Sequence, residues 1–259
     1  MEKDTGKTED GTVDVTKLID GKNKMRDKIK DEKYFFEKID REKKRIIMLE
    51  NAFELTISKS RDSDESLRNG YTILSGEYSK IINMFFSYGE DIESIREWYI
   101  KCLCYFSKVW HRYYGYFELI KVLSLGVLFE VDVVEISELK DRIIAENFDD
   151  FLVNVLIKRI DSSWMKSGSS FEFPNLYDYL KTVLESDESQ TCDMLKEYLE
   201  KKWYNIHKEC AWYNSHKSDR DLYYGYWSFE AGAIAKILKV DDMALKDVSY
   251  YPYDLVHYK

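Results

Sequence analysis

The scarcity of turn-forming residues is the strongest constraint on the fold of this chain. Its 259 residues include eleven glycines and two prolines, Pro174 and Pro252. A β-sandwich or β-barrel of this length needs many turns rich in glycine and proline. Apolar side chains instead recur at helical spacing over long stretches. We therefore predict an all-α protein made of two packed helical bundles or layers of sequential helices, with an irregular C-terminal tail.

Polar breaks divide the chain into predicted segments. Residues 1–21 are polar and without apolar periodicity, and we expect them to be disordered. We predict an N-terminal helical domain over 22–134, interrupted by a polar linker at 60–70, and a C-terminal helical domain over 135–259. The helices are expected at 22–60, 71–86, 91–110, 113–130, 135–148, 151–164, 176–185, 191–208 and 222–240.

The charge and the hydropathy of the chain limit which partners and which compartment we expect for it. The chain carries 39 basic and 48 acidic residues, a formal net charge of −9, which argues against a nucleic-acid partner. The first residues lack the apolar core of a signal peptide, and no stretch of about 18 apolar residues predicts a membrane span. The four cysteines are too scattered to form a disulfide scaffold. We expect a cytoplasmic protein with reduced thiols and no membrane partner.

Acidic residues are concentrated in one quarter of the chain. Residues 130–200 hold 17 acidic and 7 basic side chains, whereas the remainder is nearly neutral. Excess charge of this kind is common on solvated helices, but it can also attract a basic partner. Two clusters stand out within the segment, and we expect both to be exposed: Glu146, Asp149 and Asp150 at a helix junction, and Glu185, Asp187 and Glu188 in a loop.

Catalytic signatures are weak in this sequence. It contains no phosphate-binding glycine loop, no HExxH and no GxSxG, so we expect no cofactor and no metal. His207, Cys210 and His216 form the best metal-like cluster, but a fourth ligand is not evident. Asp241 and Asp242 could act as a carboxylate pair or cap a helix.

Glu230 is an unusual acid because it lies in an otherwise apolar helix. Such a carboxylate needs partners, and we expect it to be buried and bonded to tyrosines or to the 241–258 tail. We also expect Trp227, among small residues of the same helix, to be largely buried. The alternative is an acid catalyst, so a helical enzyme using Glu230 with Asp241 and Asp242 stays open as the second hypothesis.

The C-terminal sequence resembles a known family. The segments YYGYWSFEAGAIAKILKVDD and SYYPYDLVHY are similar to PoNi-type bacterial immunity proteins, and a looser similarity extends the match over roughly residues 22–258. The matching positions are Gly225, Tyr226, Trp227, Glu230, Ala231, Ala235, Asp241, Asp242, Tyr251, Pro252, Asp254 and Leu255. Of these, Gly225, Trp227, Glu230, Asp241, Asp242, Tyr251, Pro252 and Asp254 are expected to be structural.

This resemblance implies a function. Members of the family are cytoplasmic proteins that bind and neutralise PoNe-type DNase toxins in interbacterial competition, without catalytic activity. The expected partner is therefore a cognate DNase toxin. Because a DNase needs a basic face for DNA, we predict that the acidic clusters at Glu146, Asp149 and Asp150 and at Glu185, Asp187 and Glu188 bind the toxin. A third hypothesis is a structural or regulatory dimer that uses the tyrosine-rich surface.

Overall fold

The computed structural model describes residues 25–58, 64–113 and 115–258, and over these ranges the chain is helical without β-strands. The prediction of an all-α protein is confirmed. The principal helices are α1 (Glu32–Ser58), α2 (Asp64–Tyr88), α3 (Ile92–Val109), α4 (Tyr116–Leu128), α5 (Ser137–Ala145), α6 (Phe151–Ile160), α7 (Pro174–Leu184), α8 (Glu188–Glu197), α9 (Tyr204–Ile206), α10 (Phe229–Leu238) and α11 (Tyr253–Val256). The expected disorder of 1–21 lies outside the described residues.

Helix α4 occupies the centre of the fold. Ten of its thirteen residues are buried, as expected for a helix that is apolar on all sides. Helices α6 and α10 pack against it, while α1, α2 and α3 pack in sequence beside one another and α8 and α11 lie against α10. The buried apolar side chains form one continuous cluster that includes residues from both predicted domains. The boundary at 134–135 stays a prediction.

Three predicted boundaries are wrong. The first helix begins at Glu32 instead of residue 22, and the backbone N–H groups of Arg26 and Asp27 before it donate to the Ser87 carbonyl. Helix α2 begins at Asp64, inside the predicted linker 60–70, and the rest of that linker up to residue 63 lies outside the described ranges.

Residues 222–228 do not belong to α10 but run extended towards it. Distant side chains bond the backbone of this extended segment: the Asn83 amide donates to the Gly225 carbonyl at 3.2 Å and the Tyr34 hydroxyl to the Tyr223 carbonyl at 2.7 Å. Tertiary hydrogen bonds thus replace those of a helix.

A π-helical turn at Tyr198–Trp203 joins α8 to α9. A turn of this kind contains one more residue than an α-helical turn and is often found at functional sites. It buries Tyr198, Leu199 and Trp203 and so directs both aromatic rings inward. Among the described residues, no helix is long and apolar enough to cross a membrane.

Candidate functional site: a central cavity and an acidic corner

A cavity of about 230 Å³ lies where the extended segment 222–228 crosses α2 and α4. Its walls are largely aromatic and include Phe117, Trp203, Trp212 and Tyr224. Carboxylates and lysines also line it: Glu118, Glu230, Lys80 and Lys121. Four of the family-motif residues reach this one cavity: Gly225, Tyr226, Trp227 and Glu230. We refer to it as the central cavity.

Glu230 is buried beside the central cavity, with 5% of its surface exposed. The Tyr198 hydroxyl donates to Glu230 Oε1 at 2.9 Å, and the Ser228 hydroxyl donates to the same oxygen at 3.0 Å. Burial raises the pKa of Glu230, and these two hydrogen bonds oppose that rise. The observed contacts agree with the predicted burial and tyrosine partner. They come from the π-helical turn and the segment before α10, not from the C-terminal tail.

His207 also lines the central cavity and is buried. Its Nδ1 is 2.7 Å from the Trp203 carbonyl, which can only accept, so Nδ1 carries the proton and Nε2 accepts from the Tyr177 hydroxyl at 3.2 Å. Burial lowers the pKa of His207 to about 4. Both ring nitrogens are thus used by protein partners. Across the described ranges, no group of three or more His, Cys, Asp or Glu side chains could hold a metal ion.

Gly225 and Trp227 fix the extended segment against α2. Gly225 has a φ of +100°, and a Cβ atom there would lie 2.1 Å from Ser87 Oγ, so a side chain at this position is excluded both by strain and by space. The Trp227 indole N–H donates to Ser87 Oγ at 2.9 Å, and its ring meets Phe86 edge-on at 4.7 Å between centroids. The expectation that Trp227 lies on a helix is wrong, because this residue precedes α10; its side chain is partly buried and packs against the core.

The other motif residues hold the C-terminal tail. Buried Asp242 accepts from the Tyr251 hydroxyl at 2.6 Å and lies 2.9 Å from His257 Nε2. Pro252 packs on Gly232, where an added Cβ would lie 2.6 Å from its Cγ.

Asp254 extends this attachment to the N-terminal segment by accepting from Arg26 Nε at 2.6 Å. Asp241 is exposed, and neither it nor Asp242 lines the central cavity with Glu230. The three carboxylates of the enzyme hypothesis therefore do not converge in this cavity.

The first acidic cluster is only partly on the surface. Glu146 is half-buried and Asp149 is exposed, but Asp150 is fully buried, so the exposure predicted for it is wrong. Asp150 caps α6 by accepting from the Val153 N–H, and it also accepts from the Tyr116 hydroxyl at 2.8 Å. It is a structural residue because an aspartate at this position satisfies a free backbone donor of the helix.

The second acidic cluster lies at the corner between α7 and α8, where Glu185, Asp187 and Glu188 are all exposed. Within the described parts of the chain, no ion pair involves Asp187 or Glu188. Burial raises the pKa of the nearby Cys192 thiol, and the negative charges of Asp193, Asp242 and Asp241 raise it further. We call the exposed acids of this region the acidic corner: Glu185, Asp187, Glu188, Asp193 and Asp241.

Elsewhere in 130–200 the acidic excess is partly neutralised by the fold. Besides Glu197, which pairs with nearby Lys202, four of its acids form ion pairs with bases that lie far outside the segment, and the linear sequence does not indicate these four. These pairs are Glu130–Lys236, Glu135–Arg96, Glu138–Lys108 and Glu172–Arg112. The unpaired negative charge of residues 130–200 is therefore concentrated at fewer positions than the number of acids in this segment implies. The acidic corner is one of these positions.

Sequence reasoning missed the polar interior of the central cavity. Asn83, Trp110 and Glu118 all line it, yet they lie on three different helices or helix ends and share no motif. Their convergence follows from the packing of α2, α3 and α4, so no linear signal could have revealed it.

Comparisons with known proteins assign the family. Two family models match: the PoNe immunity protein (PoNi) N-terminal model over residues 19–141, and the C-terminal model of the same proteins over residues 148–255. A solved structure, "The Crystal Structure of Protein PA2201 from Pseudomonas aeruginosa", has a TM-score of 0.66 at 18% identity, with 93% of each chain covered, which shows a shared fold. No curated protein matches the sequence. The two family matches together span most of the chain, which belongs to the PoNe immunity protein (PoNi) family.

Proposed function

We propose that this protein is a cytoplasmic inhibitor that binds and neutralises a cognate PoNe-type DNase toxin, with no catalytic activity of its own. The observation that carries the proposal is the match of both the N-terminal and the C-terminal family models. The carboxylates of Glu230 and Asp242 are already bonded to tyrosines of the same chain, which suits a scaffold. No metal or cofactor takes part.

The acidic corner is the proposed site of first contact with the toxin. A DNase must carry a basic surface for the DNA backbone, and exposed carboxylates attract such a surface over several ångströms at physiological salt. Glu185, Asp187 and Glu188 are exposed and lie at a helix junction, where recognition residues are commonly placed. Asp149 and Glu146 form a second, smaller contact, without the buried Asp150.

Co-expression tests the proposed function directly. Cells that express a PoNe-type toxin from the same genome should stop growing, and the present chain should restore growth and keep the chromosomal DNA intact. The control is the same toxin without its immunity protein. Continued DNA degradation despite normal levels of folded immunity protein would contradict the proposal.

Charge reversal tests the acidic corner. Replacing Glu185, Asp187 and Glu188 with Lys should slow association with the toxin roughly tenfold at low salt and weaken its salt dependence, because steering depends on these charges. The matched control reverses three exposed acids of α1, Glu37, Asp40 and Glu54. If the two triple variants have equal association rates and an equal dependence of that rate on salt concentration, the toxin binds elsewhere on the surface.

A further inference from the structure

The central cavity holds polar atoms that the protein itself does not satisfy. Four buried atoms of its lining have no hydrogen-bond partner among the described residues: Trp110 Nε1, Trp203 Nε1, Asn83 Oδ1 and Glu118 Oε1. Trp110 and Asn83 are 1% and 7% exposed. Because the Asn83 amide nitrogen donates to the Gly225 carbonyl, its free atom is the acceptor oxygen. Buried polar groups are seldom left unpaired, so these four atoms indicate that the cavity binds a guest.

The cations of the cavity are already in use. Lys80 pairs with Glu77 at 3.0 Å, and Lys121 donates to the carbonyl and hydroxyl of Ser79 at 2.9 and 2.6 Å. The unused groups are therefore two donors, on Trp110 and Trp203, and two acceptors, on Asn83 and Glu118. An anionic guest would face Glu118 without a free cation, and an ammonium or guanidinium could not accept from Trp110.

The volume of the central cavity and the residues of its walls further restrict the kind of guest that it can bind. About 230 Å³ is less than the roughly 300–1,000 Å³ of pockets that hold drug-sized ligands, and it suits a single side chain. Half-buried Phe117, Trp212 and Tyr224 offer aromatic faces. Half-buried Gly76 also lines the cavity, and a Cβ atom built there meets nothing within 4 Å, so the cavity opens towards α2.

We propose that the central cavity receives an uncharged carboxamide side chain of the toxin, an asparagine or a glutamine, whose oxygen accepts from Trp110 and Trp203 and whose two N–H groups donate to Asn83 and Glu118. This proposal rests on the proposed function, because the guest belongs to the protein that the chain inhibits. A buried anchor of this kind is typical of the few residues that dominate an interface. The acidic corner then governs the rate of encounter, and the cavity governs how long the complex lasts.

Filling the cavity tests the proposal. Gly76→Leu places a side chain in open space within helix α2, where replacing glycine generally stabilises a helix. Its complex with a catalytically inactive PoNe-type toxin should dissociate roughly 30-fold faster or more, as measured by surface plasmon resonance. Gly76→Ala leaves most of the cavity open. Its complex should dissociate within about twofold of the wild-type rate, because small changes beside an anchor residue are nearly neutral.

A second pair of variants decides the outcome if Gly76→Leu lowers the melting temperature. Glu118→Leu removes the acceptor and should weaken binding, whereas Glu118→Gln keeps an acceptor oxygen and should bind like the wild type. Wild-type dissociation rates for both Gly76→Leu and Glu118→Leu would overturn the proposal and leave the cavity as an internal hydration site. Failure of the wild-type chain itself to bind the toxin would instead overturn the proposed function.

Discussion

Tyrosine hydroxyls satisfy many of the buried carboxylates of this protein. Tyr198 donates to Glu230, Tyr116 to Asp150, and Tyr251 to Asp242. Tyr223 donates to Asp27 in the same way. A phenol contributes a large apolar ring and one donor at its tip, so it can fill the core and bond an acid at once. The 21 tyrosines are thus partly explained by the interior rather than by the surface alone.

Replacing Tyr198 with Phe should destabilise the protein by about 1–3 kcal/mol at pH 7, because Glu230 loses one of its two side-chain donors inside the core. Urea denaturation measures the free energy of unfolding. Glu230→Gln should be far milder and should still protect cells from the toxin, since the amide oxygen accepts the same two hydrogen bonds. Loss of protection by well-folded Glu230→Gln protein would contradict a purely structural role.

His207 should make stability depend on pH. Its pKa is lowered from 6.5 to about 4 in the folded protein, so between these values the unfolded chain binds a proton that the folded chain excludes. The free energy of unfolding should therefore fall as the pH drops from 6.5 to 4, by up to about 1.4 kcal/mol per pH unit. His207→Gln should flatten this slope in denaturation series. Equal slopes for variant and wild type would show that His207 titrates normally.

At the scale of elements, the π-helical turn decides which side chains reach the core. It places Tyr198 against Glu230 and Trp203 in the cavity wall, five positions further along the chain. A regular α-helix turns by about 100° per residue. The extra residue of the π-helical turn therefore changes the direction in which every following side chain leaves the helix axis. The helical periodicity of 191–208 predicts a helix here, but it does not reveal this local widening.

Deleting exposed Glu200 should convert the turn to α-helix and rotate Trp203 away from its present contacts. We expect a loss of roughly 3–5 kcal/mol, as for removal of a core aromatic side chain. Glu200→Ala, which keeps the residue count, should change the free energy of unfolding by less than about 0.5 kcal/mol as a surface substitution. Thermal denaturation of the two variants distinguishes the geometric effect from the chemical one. Equal melting temperatures would mean that the turn has no structural importance.

At the scale of the whole molecule, the C-terminal part completes the core of the N-terminal part. Helix α10 lies against α4, and its residues Phe229–Ala235 are buried without interruption. Lys236 donates to the Leu128 carbonyl at 3.0 Å, and Arg26 pairs with Asp254 over more than two hundred residues. Apart from these polar links, the contact between α10 and α4 is mainly apolar and buried, unlike a surface between independent domains.

We therefore expect the described parts of the chain to unfold as one cooperative unit. Circular dichroism and tryptophan fluorescence should report the same midpoint in urea, because tryptophans such as Trp98 and Trp203 lie in different halves of a shared core. A fragment of residues 135–259 should lack a cooperative unfolding transition, because without α4 the apolar side chains of α10 that pack on it would be exposed to water. Two separate transitions would instead support independently folding domains.

The sequence alone determined the fold class, because few prolines and glycines and a strong helical periodicity leave little choice. It also determined the family, since the motif from Gly225 to Leu255 is a linear pattern. The extended course of 222–228, the burial of Asp150 and the pairing of acids with distant bases were decided by tertiary structure. So were the central cavity and its unpaired atoms on Asn83, Trp110, Glu118 and Trp203. The physical reason is the same in each case: a local pattern reports what a segment prefers, whereas burial, hydrogen-bond partners and the local field depend on which distant segments pack against it.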